Sequence, residues 1–181
     1  MKKVSKHTLL LELQDITEQH LSLCIREFQN LSDTDLNRRP LDGAWSVAQC
    51  LYHLTTYGHH YLPRVKDALE HAPLKSEDQV CKSGLLGNYF IGLIKKPAKY
   101  KAPPKHSPQA NFYDASLVAE FITQLEDWLV LLRKTSGVSP DKIKIKTTIS
   151  PVIRLKLLDT LAFIVHHNDR HIKQALMAVE I

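Results

Sequence analysis

His166-His167-Asn168-Asp169-Arg170-His171-Ile172-Lys173-Gln174 lies near the C-terminus, inside a long run of helical periodicity. Around it Leu157, Leu158, Leu161, Ile164, Val165, Ile172, Leu176 and Val179 recur at three- and four-residue steps. That pattern predicts an amphipathic helix from about Leu155 to Val179. His167 and His171 are four residues apart, so on a helix they share one face, one turn apart. Gln174 continues their row along an edge of the apolar stripe. His166 is rotated by about 100° from His167 and points elsewhere. Two imidazoles so placed can bind one metal ion if a third ligand arrives from another part of the chain. The motif alone does not decide the matter. With ten histidines in 181 residues, about half a pair at any one spacing arises by chance.

Working outward, Ser150-Pro151 precedes this last helix. Before it, Lys142-Ile143-Lys144-Ile145-Lys146 alternates strictly, which suggests a short extended segment with no obvious partner strand. Leu117, Val118, Phe121, Ile122, Leu125, Trp128, Leu129 and Leu132 predict a helix over about Asp114 to Ser136, stopped by Gly137. Further upstream, Ser46 with Gln49 three residues later forms a capping box. Val47, Leu51, Leu54, Gly58, Tyr61, Leu62, Val65 and Leu69 carry the helix from there to about His71. Trp45 stands just ahead of the cap, where a large apolar side chain pins the approach of the chain. Pro63 lacks an amide and should kink or divide this helix. Residues from about 5 to 30 give the first helix, with His20 beside its stripe as a structural histidine. Residues 72–113 hold five prolines and three glycines, and only about Leu85 to Ile94 reads as helical. A connection this long is uncommon in a compact domain unless it crosses over or covers a site. The expected fold is therefore all-α. It is an antiparallel or mixed four-helix bundle over residues 1–181, with a long irregular connection between the second and third long helices.

Bulk composition fits one globular domain: 44% hydrophobic and 24% charged residues. No run of 18 apolar residues exists. The basic start, Met1-Lys2-Lys3, is followed by no apolar segment of a secretory signal. Cys24, Cys50 and Cys81 are too few and too widely spaced for a disulfide framework, so free thiols in a reducing cytoplasm are expected. The net charge is +5, with lysines gathered at Lys95, Lys96, Lys99, Lys101 and Lys105 and again at Lys142, Lys144 and Lys146. Neither group carries interleaved aromatics, so both read as solvated loops, with no nucleic-acid or membrane partner.

A third imidazole is available on the second helix. His53 sits one residue off the core stripe, on a row with Cys50, Tyr57, His60 and Arg64. Taken alone, such a histidine reads as a hydrogen-bonded core residue. His60 is two turns further, about 10 Å, too far to share one ion with His53. Two stretches now meet: Trp45-Ser46-Val47-Ala48-Gln49-Cys50-Leu51-Tyr52-His53-Leu54 and His167-Asn168-Asp169-Arg170-His171. In this order, on a four-helix chain of this size, they resemble the DinB-like superfamily of metal-dependent proteins. The Arg39-Pro40 and Gly43-Ala44-Trp45-Ser46 connector and the Ser150-Pro151 step extend the likeness over most of the chain.

The resemblance implies that His53, His167 and His171 are the ligands of a divalent metal ion, zinc or nickel, with coordination positions left open. Gln174 is then a hydrogen-bond partner of the ligands, and Cys50, Tyr57 and His60 are candidates around the pocket. For Asp169 and Arg170, interhelical or surface ion pairs are expected. The resemblance also implies a metal-dependent transferase or hydrolase acting on a small molecule, with a low-molecular-weight thiol as a candidate partner. The alternative is a non-enzymatic stress-response protein whose metal is structural or sensory. A homodimer is the expected assembly.

Overall fold

A computed structural model describes residues 3–75, 77–96, 102–109, 112–150 and 152–179. Met1, Lys2, Pro97, Lys99, Lys101 and Pro151, named above, lie outside the described residues. The chain opens with a short strand, β1 (Lys3–Ser5), and a long helix, α1 (Lys6–Leu23). Ser5 caps that helix by accepting from the Thr8 amide. One wide π-helical turn, Cys24–Phe28, extends α1. Then come a short helix α2 (Asp33–Asn37), the long α3 (Val47–Glu70), strand β2 (Val80–Lys82) and helix α4 (Leu85–Ile94). A single 3-10 turn at Pro104–His106 precedes α5 (Ser116–Ser136). Strands β3 (Lys144–Lys146) and β4 (Arg154–Lys156) lead into the last helix, α6 (Leu157–Val179).

The capping box is formed on both sides: Gln49 N–H donates to Ser46 Oγ at 3.2 Å, and Ser46 N–H to Gln49 Oε1 at 3.1 Å. Such a cap is worth about 1 kcal/mol. Helix α3 is not divided at Pro63. Pro63 lies on the exposed side, where the His59 carbonyl, left without its amide, faces water. The alternating lysine segment does have a partner. β3 pairs antiparallel with β4, Ile145 opposite Leu155. The last helix accordingly starts at Leu157, two residues later than the apolar pattern alone suggests.

Four long helices make the body. α1 and α3 each pack on both α5 and α6, which sets α1 and α3 at opposite corners. Their directions follow from the contacts at the ends. Lys6, at the start of α1, reaches Lys75 beyond the end of α3 and Ser136 and Val138 at the end of α5. Strand β1 pairs with β2 at this end, and the Leu157 amide at the start of α6 donates to the Ile143 carbonyl here. At the other end, Tyr113 and Ala115 just before α5 bond to Asn37 and Asp33 of α2. So α1 and α6 run one way, and α3 and α5 the other. α3 and α5 are successive long helices that lie parallel. The chain between them must travel back along the bundle, about 36 Å for a helix of 24 residues. That is the physical reason for the long irregular connection.

Lys6 is 2% exposed, and its ammonium donates to three carbonyls, at 3.0, 2.6 and 3.2 Å. One, that of Ser136, ends α5, where helix carbonyls lack amide partners and a cation is favoured, and that of Val138 lies two residues beyond. Lys6→Met leaves the buried Val138 carbonyl and two partly buried ones without this donor. Urea unfolding should show a loss of about 2 kcal/mol; an unchanged midpoint would mean that water replaces the ammonium without cost.

Two glycines allow close approaches. A Cβ at Gly58 would come 1.8 Å from Gln124 Oε1, so the parallel pair α3 and α5 closes over a buried amide. A Cβ at Gly87 would come 2.3 Å from Asp159 Cγ. Its absence lets the N-terminus of α4 settle on α6, where the Gly84 amide donates to Asp159 Oδ2 at 2.7 Å.

The core is in two apolar halves. One joins Leu10 and Leu13 to Tyr57, Tyr61, Val65, Leu132, Leu157 and Leu161. The other joins Cys24 and Phe28 to Val47, Leu51, Leu54, Phe121, Leu125, Ile172 and Ala175. Between them, at matching heights on each helix, stand buried polar residues: Thr17 and His20 on α1, His53 and Thr55 on α3, Gln124 on α5, His167 and Asn168 on α6. A polar layer crosses the middle of the bundle. Burying so many polar groups is costly unless each finds a partner, and the partners define the site.

Candidate metal centre

His53 comes from the second turn of α3, and His167 and His171 from adjacent turns of α6. A ring nitrogen from each lies within 4.8 Å of the others. Nε2 of His53 is 3.1 Å from Nε2 of His167. Two nitrogens on a tetrahedral zinc ion stand about 3.3 Å apart, so this pair is already at ligand spacing. His171 is the half-buried member of the three.

Tautomers follow from the outer partners. His53 Nδ1 lies 2.6 Å from the His106 carbonyl, which only accepts, so Nδ1 carries the proton and Nε2 a lone pair. His171 Nδ1 donates to Gln174 Oε1 at 3.0 Å and likewise frees Nε2. His167 is buried, and its Nδ1 has no hydrogen-bond partner among the described residues. Burial, above all, keeps the three rings neutral. It pushes His53 below its ordinary value, His171 down to about 3, and His167 well down, with neighbouring imidazoles adding repulsion for the last two. His53 Nε2, a lone pair, lies at hydrogen-bonding distance from His167 Nε2, and a divalent ion can take the place of the proton shared between them. The three residues fit a divalent metal ion.

Aromatic rings fix the imidazoles from both sides. Trp45 stacks on His171 with centroids 5.7 Å apart and leans on His53 at 5.1 Å. Tyr57 lies 4.9 Å from His53 and 4.3 Å from His167, and Phe163 stacks on His167 nearly parallel. A family model for the DinB superfamily matches residues 16–175. The chain belongs to the DinB superfamily. No curated protein and no solved structure gives a match.

In this DinB-superfamily chain the remaining residues of the C-terminal stretch hold the bundle around the site. Asp169 Oδ1 is 3.4 Å from His20 on α1, and its Oδ2 accepts from Lys173 at 2.7 Å. The His20 contact, with Lys173, draws the Asp169 carboxyl down to about 2. These are the interhelical and surface pairs expected of Asp169. Arg170 donates to the carbonyls of Ile94 and Lys96, holding the end of α4. His166 turns to another face of α6, onto a cavity of about 160 Å³ between α1, α4 and α6.

Of the pocket candidates, Gln174 and Tyr57 touch the triad directly. Cys50 is fully buried in the apolar half beside Val47 and Leu51, and burial pushes its thiol up to about 12. His60 turns toward β3, donating to the Lys146 carbonyl at 3.2 Å and resting on Tyr61. Three contributors escaped the sequence reading. Trp45 does more than pin the start of α3, since its ring lies against two of the imidazoles. Phe163, which is not among the residues of the predicted apolar stripe, stacks on His167. His106, in the crossover, supplies the carbonyl that sets the tautomer of His53. The one available signal for His106 was the length of the crossover itself.

Proposed function

We propose that His53, His167 and His171 hold one divalent cation, zinc or nickel, and that the chain is a metal-dependent enzyme acting on a small molecule. The observation that carries this reading is the convergence of three neutral imidazoles in a buried polar layer, with the outer nitrogens of His53 and His171 tied to oxygen acceptors. Imidazole donors suit both metals. Three protein ligands leave positions open for water or substrate, whereas structural zinc sites are closed by four. The ion supplies Lewis acidity: it lowers the pKa of a coordinated hydroxyl or thiol group near neutral pH. The chain's own residues bind the ion, orient its ligands and keep them deprotonated. Gln174 and the His106 carbonyl aim His171 and His53, and Trp45, Tyr57 and Phe163 shield the rings from water. Group transfer involving a low-molecular-weight thiol, or hydrolysis, is the chemistry such a centre performs.

Elemental analysis of the purified chain should find about one divalent ion per chain. Substituted with Co²⁺, it should show visible bands that shift when a small thiol is added. A spectrum indifferent to thiols and other small ligands, from a centre closed by a fourth protein ligand, would instead make the metal structural or sensory.

A further inference from the structure

Two hydrogen bonds join the crossover to the turn of α3 that carries His53, and a third, within that turn, links them. Thr56 Oγ1 donates to the His53 carbonyl at 2.7 Å. A hydroxyl has one hydrogen, so toward His106, 2.9 Å away, the same oxygen only accepts. His106 therefore carries its proton on Nδ1. Its own carbonyl in turn accepts from His53 Nδ1 at 2.6 Å. The bonds close a ring that runs from the His53 side chain to the His106 carbonyl, from the His106 side chain to Thr56, and from Thr56 back to the His53 backbone. His106 is 2% exposed and its ring lies 4.5 Å from that of Tyr57, so its bond to His53 is buried, while the two bonds to half-buried Thr56 are partly so.

We propose that His106 and Thr56 are positioning residues for the metal, and that order in the crossover at residues 102–109 and ion binding at His53 stabilise each other. This inference rests on the three-histidine reading of the site. Its logic is geometric. A metal ion on Nε2 requires the proton of His53 to be on Nδ1, and a proton on Nδ1 needs an acceptor in this buried place. The acceptor is a backbone carbonyl of a segment that belongs to no long helix. That carbonyl stays in position because the His106 imidazole is anchored to Thr56. Partners of this kind change metal affinity by about 10- to 100-fold when removed. Linkage is reciprocal, so the ion must hold the crossover in place by the same factor by which the crossover strengthens ion binding.

The test is a Co²⁺ titration of the full chain with the visible bands as readout, run on wild type, Thr56→Val, Thr56→Ser and His106→Leu. Thr56→Val keeps the shape of the side chain and removes the hydroxyl; Thr56→Ser restores it. Thr56→Val and His106→Leu should bind Co²⁺ about 10-fold or more weakly, and Thr56→Ser should return close to wild type. Amide hydrogen exchange over residues 102–109 should slow on adding Co²⁺ to the wild type, and much less in Thr56→Val. A merely structural role for Thr56 would lower the stability of metal-free protein and leave the Co²⁺ dissociation constant unmoved. Wild-type affinity in both Thr56→Val and His106→Leu, with the wild type binding one ion, overturns this inference alone. A wild type that takes up no ion overturns the three-histidine reading and this inference with it.

Discussion

Replacing His53 or His171 by alanine is expected to weaken divalent-ion binding by about 100-fold or more and to remove most of the metal dependence of the melting temperature. The first half follows from ligand number. Structural zinc sites with four ligands bind with about 10–16 kcal/mol, or about 3 kcal/mol per ligand. Losing one of three ligands should then weaken binding by about 100-fold or more. His167 and His171 are preset by one helix, but His53 belongs to another, so the ion also ties α3 to α6. The second half follows from mass action. An ion that binds only the folded chain, present at about a thousand times its dissociation constant, stabilises by about 4 kcal/mol. For a chain of this length that is about 8–16 °C in melting temperature. A chelator should take the wild type down by that amount and either variant by about a third of it or less, because a 100-fold weaker site leaves the ion at about ten times its dissociation constant. Without metal, the variants should differ from the wild type only by lost packing against Trp45 and Tyr57. Full metal retention in both variants would sink the three-histidine assignment.

The helices were legible because their apolar residues repeat with the helical period, and Ser46 and Gln49 marked the start of α3 in four letters. The pair His167 and His171 was legible for the same local reason. His53 was not, by spacing alone, since 114 residues separate it from His167. Only the likeness of two motifs taken together pointed to it. What stayed hidden was set by tertiary geometry. Arg154-Leu155-Lys156 looks like helix because Leu155 falls in phase with the leucines after it. It becomes a strand because Lys144–Lys146 offers an edge to pair with. The polar layer was hidden as well. Thr17, His20 and Gln124 are unremarkable one at a time, and only the alignment of four helices brings them to the level of the histidines. His106 lies in a proline-rich segment with no period to read, and its contribution is made by a backbone carbonyl, which no side-chain motif encodes.

Acidification of the metal-free protein is expected to destabilise it progressively below about pH 6.5. In the folded chain, burial is the main force holding His171 down to about 3 and His106 and His166 down to about 4, and it lowers His53 and His167 as well. In the unfolded chain each titrates near 6.5. Between those limits the unfolded state binds protons that the folded state refuses. Stability therefore falls as pH falls, by up to about 1.4 kcal/mol per pH unit for each such histidine. Above 6.5 both states are neutral and the contribution is complete. The carboxylates act elsewhere. Asp169, drawn down to about 2, begins to matter only below its ordinary value of 3.8. Asp159 is raised by burial and works in the opposite sense, because protonation relieves it. The histidine window from 6.5 down to about 4 is thus separable from ordinary acid unfolding. Urea midpoints measured with chelator at pH 7, 6, 5 and 4.5 should fall steadily, and His171→Leu, with one titrating group fewer, should fall less steeply. Bound metal should move the wild-type decline to lower pH, because the ion and the proton compete for the same lone pairs. A wild-type midpoint unchanged from pH 7 to pH 5 would show that the imidazoles are not buried as neutral groups, and would remove the electrostatic basis for placing a cation among them.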